Sequence, residues 1–154
     1  MEEIYATVEG KKKKEARLAE LISRRREIAE QIKTAREFGD LKENAEYAAA
    51  REAQNNLETE INEIEAMLPS IKVFSYAKAD TSCVNIGTKV TVTEGRKTHE
   101  FVISGALKTD EEEDYVSNIS PVGRALMGKK VGDTVEVKIP AKPKFTITKI
   151  GRIS

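Results

Sequence analysis

The 154-residue chain has no tryptophan, one cysteine (Cys83) and one histidine (His99). A single cysteine excludes an intramolecular disulfide and a multi-cysteine zinc site. A single histidine speaks against a multi-histidine metal centre and against Ser-His-Asp catalysis. No run approaches the roughly 18 apolar residues that a membrane helix needs. Met1-Glu2-Glu3 opens without an apolar signal core, so the expected location is the cytoplasm. Aromatics make up 5% of the chain and charged residues 34%, which suits one modest core beside a long exposed helical part. Neither sign of charge prevails, with 26 basic and 26 acidic side chains. A uniformly basic nucleic-acid binder and an acidic disordered tail are therefore excluded as descriptions of the whole chain.

The zero balance conceals a division. Residues 1–68 carry a net charge of −4 and residues 69–154 a net charge of +4. Pro69 stands at the change, and no glycine occurs between Gly39 and Gly87. The pattern predicts a helical domain over residues 1–70 and a β-rich domain over residues 71–154, an α+β protein.

In the first part, Leu18, Leu21, Arg25, Ile28, Ile32 and Ala35 follow a three-four spacing within a helix expected from about Lys11 to Phe38. Tyr47, Ala50, Gln54, Leu57, Ile61, Ile64 and Leu68 repeat it in a second helix expected from about Leu41 to Leu68. A seam this narrow buries one stripe against one partner helix. Only Gly39 and Asp40 separate the segments, which requires an antiparallel coiled-coil hairpin. Residues 11–38 carry a net +5 and residues 40–68 a net −6, so opposite charge brings the two helices together. About 28 residues per helix give an arm of roughly 40 Å.

The tip, residues 38–47, reads Phe-Gly-Asp-Leu-Lys-Glu-Asn-Ala-Glu-Tyr. Gly39 suits a helix stop, and Tyr47 is expected at the seam behind the tip. Asp40 is a favourable N-cap with Glu43 three residues on, a capping-box spacing in which both carboxylates bind backbone N–H groups. The same i, i+3 spacing on a helix would place both acids on one face, with Cβ atoms about 5–6 Å apart. Two such carboxylates can also serve Mg²⁺, which takes one or two carboxylates plus water and phosphate oxygens. They would bind it poorly alone, so a partner must supply the remaining ligands. The two readings are compatible, because a capping side chain is held rigidly.

The second part alternates as strands over Gly87 to Glu94, Glu100 to Ser104, Thr134 to Ile139 and Phe145 to Ile150. Ser120 is a plausible N-cap with Pro121 at the first helical position, and Gly128 a plausible stop for that short helix. Lys11 to Lys14 and Arg24 to Arg26 read most simply as a solvated helix face. Asp110 to Asp114 reads most simply as a solvated loop, and Cys83 and His99 as structural or incidental.

Three stretches carry a resemblance. Gly39-Asp40-Leu41-Lys42-Glu43-Asn44-Ala45-Glu46-Tyr47 resembles the tip signature of the bacterial transcript cleavage factor family GreA/GreB. Ser120-Pro121-Val122-Gly123-Arg124-Ala125-Leu126-Met127-Gly128, followed by Gly132-Asp133, resembles the family's C-terminal signature. Thr7-Val8-Glu9-Gly10, with Leu18 and Leu21, is similar to its usual opening. The three occur in the family's order, span nearly the whole chain and look most like the GreA branch.

The resemblance implies an N-terminal antiparallel coiled coil and a C-terminal FKBP-like sheet domain that binds RNA polymerase at the secondary channel. It implies that the tip reaches the polymerase active site and promotes cleavage of nascent RNA in backtracked complexes. Asp40 and Glu43 are then the critical acids, helping to hold a Mg²⁺ shared with the polymerase and not bound stably by the factor alone. The factor is a supplier of ligands, not itself an enzyme. Arg36, Lys42 and Asn44 become candidates for contacting RNA or the polymerase. Gly39 and Tyr47 shape the tip, and Ser120, Pro121, Gly123 and Arg124 form the C-terminal motif. No membrane partner is implied, and a monomer is expected. A channel-occupying inhibitor of the same fold is the alternative. A prolyl isomerase or chaperone is disfavoured by the scarcity of aromatics.

Overall fold

The computed structural model describes residues 3–40 and 44–153. Its elements, in chain order, are β1 (Ile4–Ala6), α1 (Val8–Arg36), α2 (Ala45–Met67), β2 (Ile71–Val73), β3 (Thr88–Glu94), β4 (Lys97–Ser104), β5 (Val116–Ser117), α3 (Pro121–Leu126), β6 (Thr134–Glu136) and β7 (Lys144–Arg152). No helix among the described residues is long and apolar enough to cross a membrane.

The chain divides into two compact units, one of residues 12–70 and one of residues 1–11 with 71–154. The second includes a segment that composition alone assigns to the helical part. The reason is a backbone pairing: β1 runs parallel to β2, with Ile4 opposite Ile71 and Ala6 opposite Val73. The Phe74 amide then donates to the Ala6 carbonyl at 3.0 Å. Three residues with Ala6 fully buried leave too short a pattern to read as a strand.

Within the helical unit, Leu21, Leu57, Ile61 and Ile64 form the buried cluster, with Leu18, Ile28 and Leu68 packed against it. Ile32, Ala35 and Ala50 continue the seam toward the tip, also buried. Burying one Leu or Ile side chain contributes about 1.5–3 kcal/mol, so this stripe holds the hairpin. Arg25 occupies a seam position in sequence but is exposed, and its guanidinium donates twice to Glu58 at 2.9 Å. Arg17 forms a second two-pronged pair with Glu60, at 2.9 and 3.2 Å. The Arg17 hydrogen bonds hold the Glu60 carboxyl below the ordinary carboxylate range. Both pairs cross between the helices and are solvent-exposed, so they set register more than stability. They realise the opposite charge of the two segments.

In the other unit a five-stranded sheet has the order β5-β4-β3-β7-β6. The β3–β4 hairpin pairs Val90 with Phe101 and Val92 with His99. The β3–β7 ladder shifts register between Thr91 and Val92. Val84, Val90, Val92, Ile103, Leu126, Val135, Val137, Phe145 and Ile147 form its core. His99 lies against Phe101 and Phe145, with ring centroids 6.1 and 5.7 Å away, and pairs with Glu94 at 3.2 Å. These contacts give it a packing role.

The acidic run 110–114 differs from the solvated loop that its charge suggests. Glu112 is 3% exposed. One carboxylate oxygen accepts from the Thr109 amide and hydroxyl, both at 3.0 Å, while the other accepts from the Tyr76 hydroxyl. This short 3₁₀ turn carries the capping box that the spacing suggested for the tip. Burial, followed by the bond to Glu112, pushes the Tyr76 phenol up. A buried carboxylate is tolerated here because both of its oxygens are satisfied.

Candidate functional site at the hairpin tip

Helix α1 ends at Arg36, and its last turn tightens into i→i+3 bonds, Glu37 to Thr34 and Phe38 to Ala35, both at 3.2 Å. Gly39 follows with φ of 116°, a conformation that L side chains seldom adopt and glycine adopts freely. This is the stop that the residue type announced.

Helix α2 begins later than the spacing suggests. Its N-cap is Asn44, not Asp40, with extended backbone at φ −84° and ψ 99°. The Asn44 Oδ1 accepts from the Tyr47 amide at 3.1 Å. Its Nδ2 donates at 2.6 Å to the Ala35 carbonyl in the last turn of α1, which also accepts from the Phe38 amide. One side chain thus caps the second helix and ties it to the first. Asp and Asn are about equally favoured caps, so residue type could not choose between positions 40 and 44. The cross-chain bond to Ala35, which depends on the hairpin being closed, makes the choice. Glu43, with Lys42, lies outside the described residues.

Asn44→Ala removes the cap and the bridge to Ala35 together. The expected loss is about 2 kcal/mol, a cap and one further hydrogen bond. Hydrogen exchange should localise it, with amides of the first turn of α2 and the last turn of α1 losing protection. Protection unchanged at both ends would show that the bridge contributes nothing.

Asp40 is exposed and lines one shallow concavity with Phe38, Asn44, Ala45 and Glu46. Tyr47 is half-buried behind it, and the Arg36 guanidinium lies 5.9 Å from its ring centroid. Among the described residues no three metal-ligating side chains gather in one place. A Mg²⁺ at Asp40 would take most of its oxygen ligands from elsewhere.

The C-terminal motif is built as a rigid corner. Ser120 caps α3, its Oγ accepting from the Gly123 amide at 3.1 Å and donating to the Ser117 carbonyl at 2.7 Å. Pro121 takes the first helical turn, where its missing N–H costs nothing. A methyl group on Gly123 would come within 1.9 Å of the Ser117 carbonyl oxygen, so the close approach requires glycine. Arg124 is exposed, and its Nε donates to the Ile119 carbonyl at 2.8 Å.

Two family models cover these features in order. One, described as transcription elongation factor, N-terminal, matches residues 4–73. The other, transcription elongation factor, GreA/GreB, C-term, matches residues 79–152. The chain belongs to the GreA/GreB transcription elongation factor family. It is similar to transcription elongation factor GreA of Alkaliphilus oremlandii, 44% identical over 154 residues and 97% of each chain. It is also similar to transcription elongation factor GreA of Acetivibrio thermocellus, 43% identical over 141 residues, covering 90% of this chain and 89% of the other. Among solved structures, the GreA factor homolog 1 (Gfh1) protein of Thermus thermophilus matches 97% of this chain and 99% of its own, at 19% identity and a TM-score of 0.44.

Within this GreA/GreB member, the site residues named from sequence separate into two groups. Gly39, Asn44, Ser120, Pro121 and Gly123 have backbone roles visible in their hydrogen bonds, φ angles and close contacts. Asp40 and Arg36 present charge at the exposed end of the hairpin.

Proposed function

We propose that this elongation factor binds RNA polymerase and stimulates the polymerase's own cleavage of nascent RNA in backtracked complexes, with the hairpin tip delivering Asp40, and with it Glu43, to the catalytic Mg²⁺. The observation that carries this reading is Asp40 itself, an exposed carboxylate at the end of a two-helix hairpin, beside a glycine turn. At about 1.5 Å per residue, the 23 residues of α2 give the hairpin a reach of roughly 35 Å. That length suits insertion into a channel.

The metal, when bound, supplies activation of the attacking water and stabilisation of the leaving oxygen. The Asp40 carboxylate contributes one hard anionic ligand, and Glu43 is the candidate for a second. Seam packing holds the two helices, the Asn44 bridge holds their ends, and Gly39 turns the chain so that Asp40 is presented outward. Fixing a ligand in this way lowers the entropic cost of assembling the reacting centre. Arg36 and Lys42 supply positive charge close to the acids, where they would steady RNA phosphates or polymerase carboxylates. The sheet unit is the part assigned to docking on the polymerase rim. A factor working in this way has no nuclease of its own.

The test uses stalled, backtracked complexes with end-labelled RNA. Addition of the factor should release short 3′ fragments and restore elongation, while the same RNA with the factor alone should remain intact. Cleavage without polymerase would overturn the ligand-supplying mechanism. Slower elongation with no added cleavage would favour the channel-blocking alternative.

A further inference from the structure

Phe38 has no account in the fold. It is 71% exposed, the largest exposure among the described large apolar side chains, ahead of Val131 at 58%. No ring contact to Phe38 occurs among the described residues, whereas Phe74, Tyr76, Phe101, Tyr115 and Phe145 all make one. An aromatic ring left in water at a polar turn forgoes about 1.5–3 kcal/mol of burial. The residue is nonetheless held in place. Its amide donates to the Ala35 carbonyl, which also accepts the Asn44 side chain. The ring therefore stands on the same fixed base as the turn, and it lines the same concavity as Asp40.

We propose that Phe38 is a substrate-positioning residue whose ring stacks on a base of the extruded RNA next to the scissile phosphate. This rests on the cleavage reading above. Two residues span at most about 7 Å, so a nucleotide whose phosphate is held at Asp40 has its base within reach of the ring. The surroundings select a base over an apolar protein pocket. Among the described residues, the other members of the concavity are Asp40, Asn44, Ala45 and Glu46, and none of these is a large apolar side chain. A protein hot spot needs a desolvated apolar cluster with a sealing rim. A nucleobase needs only one π-face and leaves its polar edge to water and neighbouring charge. Stacking is tolerant of sequence, because every base has such a face.

The experiment is a cycle between the ring and the base. Wild-type factor, Phe38→Ala and Phe38→Trp are assayed on backtracked complexes whose extruded RNA is either normal or abasic at the nucleotide beside the cut. Phe38→Ala should slow cleavage of normal RNA about tenfold, the size of one lost stack, and Phe38→Trp should retain it. Abasic RNA should slow the wild type by a similar factor, and combining it with Phe38→Ala should add nothing. A second readout needs no turnover. With 2-aminopurine at that nucleotide, Asp40→Asn factor should quench its fluorescence, and Asp40→Asn with Phe38→Ala should not.

Full activity of Phe38→Ala overturns the proposal. So does independent multiplication of the two losses, or an equal loss of affinity for complexes that have not backtracked, which would place the ring against protein. If Asp40→Asn is inactive while Phe38→Ala is normal, only this inference fails. If wild-type factor does not stimulate cleavage, the reading beneath it fails.

Discussion

Asp40→Asn should reduce stimulated cleavage by about a hundredfold or more while leaving folding and polymerase affinity almost unchanged. The substitution keeps side-chain shape and one acceptor oxygen, so what it removes is the charge and the second acceptor oxygen. Losing one preorganised electrostatic partner of a transition state typically costs about 10²–10³ in rate. The stability side follows from the hairpin. The cap of α2 is Asn44, and Asp40 lies before it in an exposed turn. Thermal melting should therefore shift by no more than about 1 °C, as expected for a surface change worth a few tenths of a kcal/mol. The measurement pairs a melting curve with a cleavage assay at saturating factor. Cleavage at the wild-type rate would leave Asp40 a turn residue only. Loss of both melting temperature and activity would make its role structural.

Gly123→Ala should destabilise the fold strongly. The added methyl would sit 1.9 Å from the Ser117 carbonyl oxygen, 2.9 Å from the Ser117 carbonyl carbon and 3.0 Å from the Asn118 Cα. All three are backbone atoms, so no side chain can rotate away to relieve the clash. Overpacking of a well-filled site costs about 1–3 kcal/mol, and displaced backbone puts this case at the upper end. The shift would also strain the Ser120 cap, whose Oγ joins the Gly123 amide to the Ser117 carbonyl. Urea unfolding should show the midpoint falling with little change in slope. Val122→Ala, one position earlier at a half-buried site packed against the core, removes volume instead of adding it. It should cost less than Gly123→Ala, and the reverse order would show that the close approach is not what requires glycine.

The two substitutions separate the molecule's tasks. Asp40 is exposed at the end of the hairpin. Gly123 stands where two backbone segments touch. The same contrast explains which parts of the protein were legible beforehand. The seam residues Leu21, Ile32, Leu57, Ile61 and Ile64 announce themselves through a repeat, because a helix brings every third or fourth residue to one face. The β3–β4 hairpin does so through alternation. Both are local periodicities. Asn44, by contrast, competes with Asp40 on equal terms until the hairpin closes and its amide meets the Ala35 carbonyl. Glu112 sits in a run of five acids, and nothing in that run marks which one will be buried. Tyr76, 36 positions earlier, does.

Read alone, the amino-acid sequence determined the two hairpin helices, the short helix α3, the strands β3, β4, β6 and β7, the stop at Gly39, the charge pairing of the two helices and the family signatures at the tip and in α3. Each depends on residues within a turn or two of one another, where backbone geometry relates spacing to direction. The tertiary structure alone decided that Ile4–Ala6 belongs with β2, that Asn44 caps α2 and that Glu112 is buried against Tyr76. Each of those depends on a hydrogen bond that exists only when distant segments have already been brought together. Such a bond leaves no periodic trace in the chain.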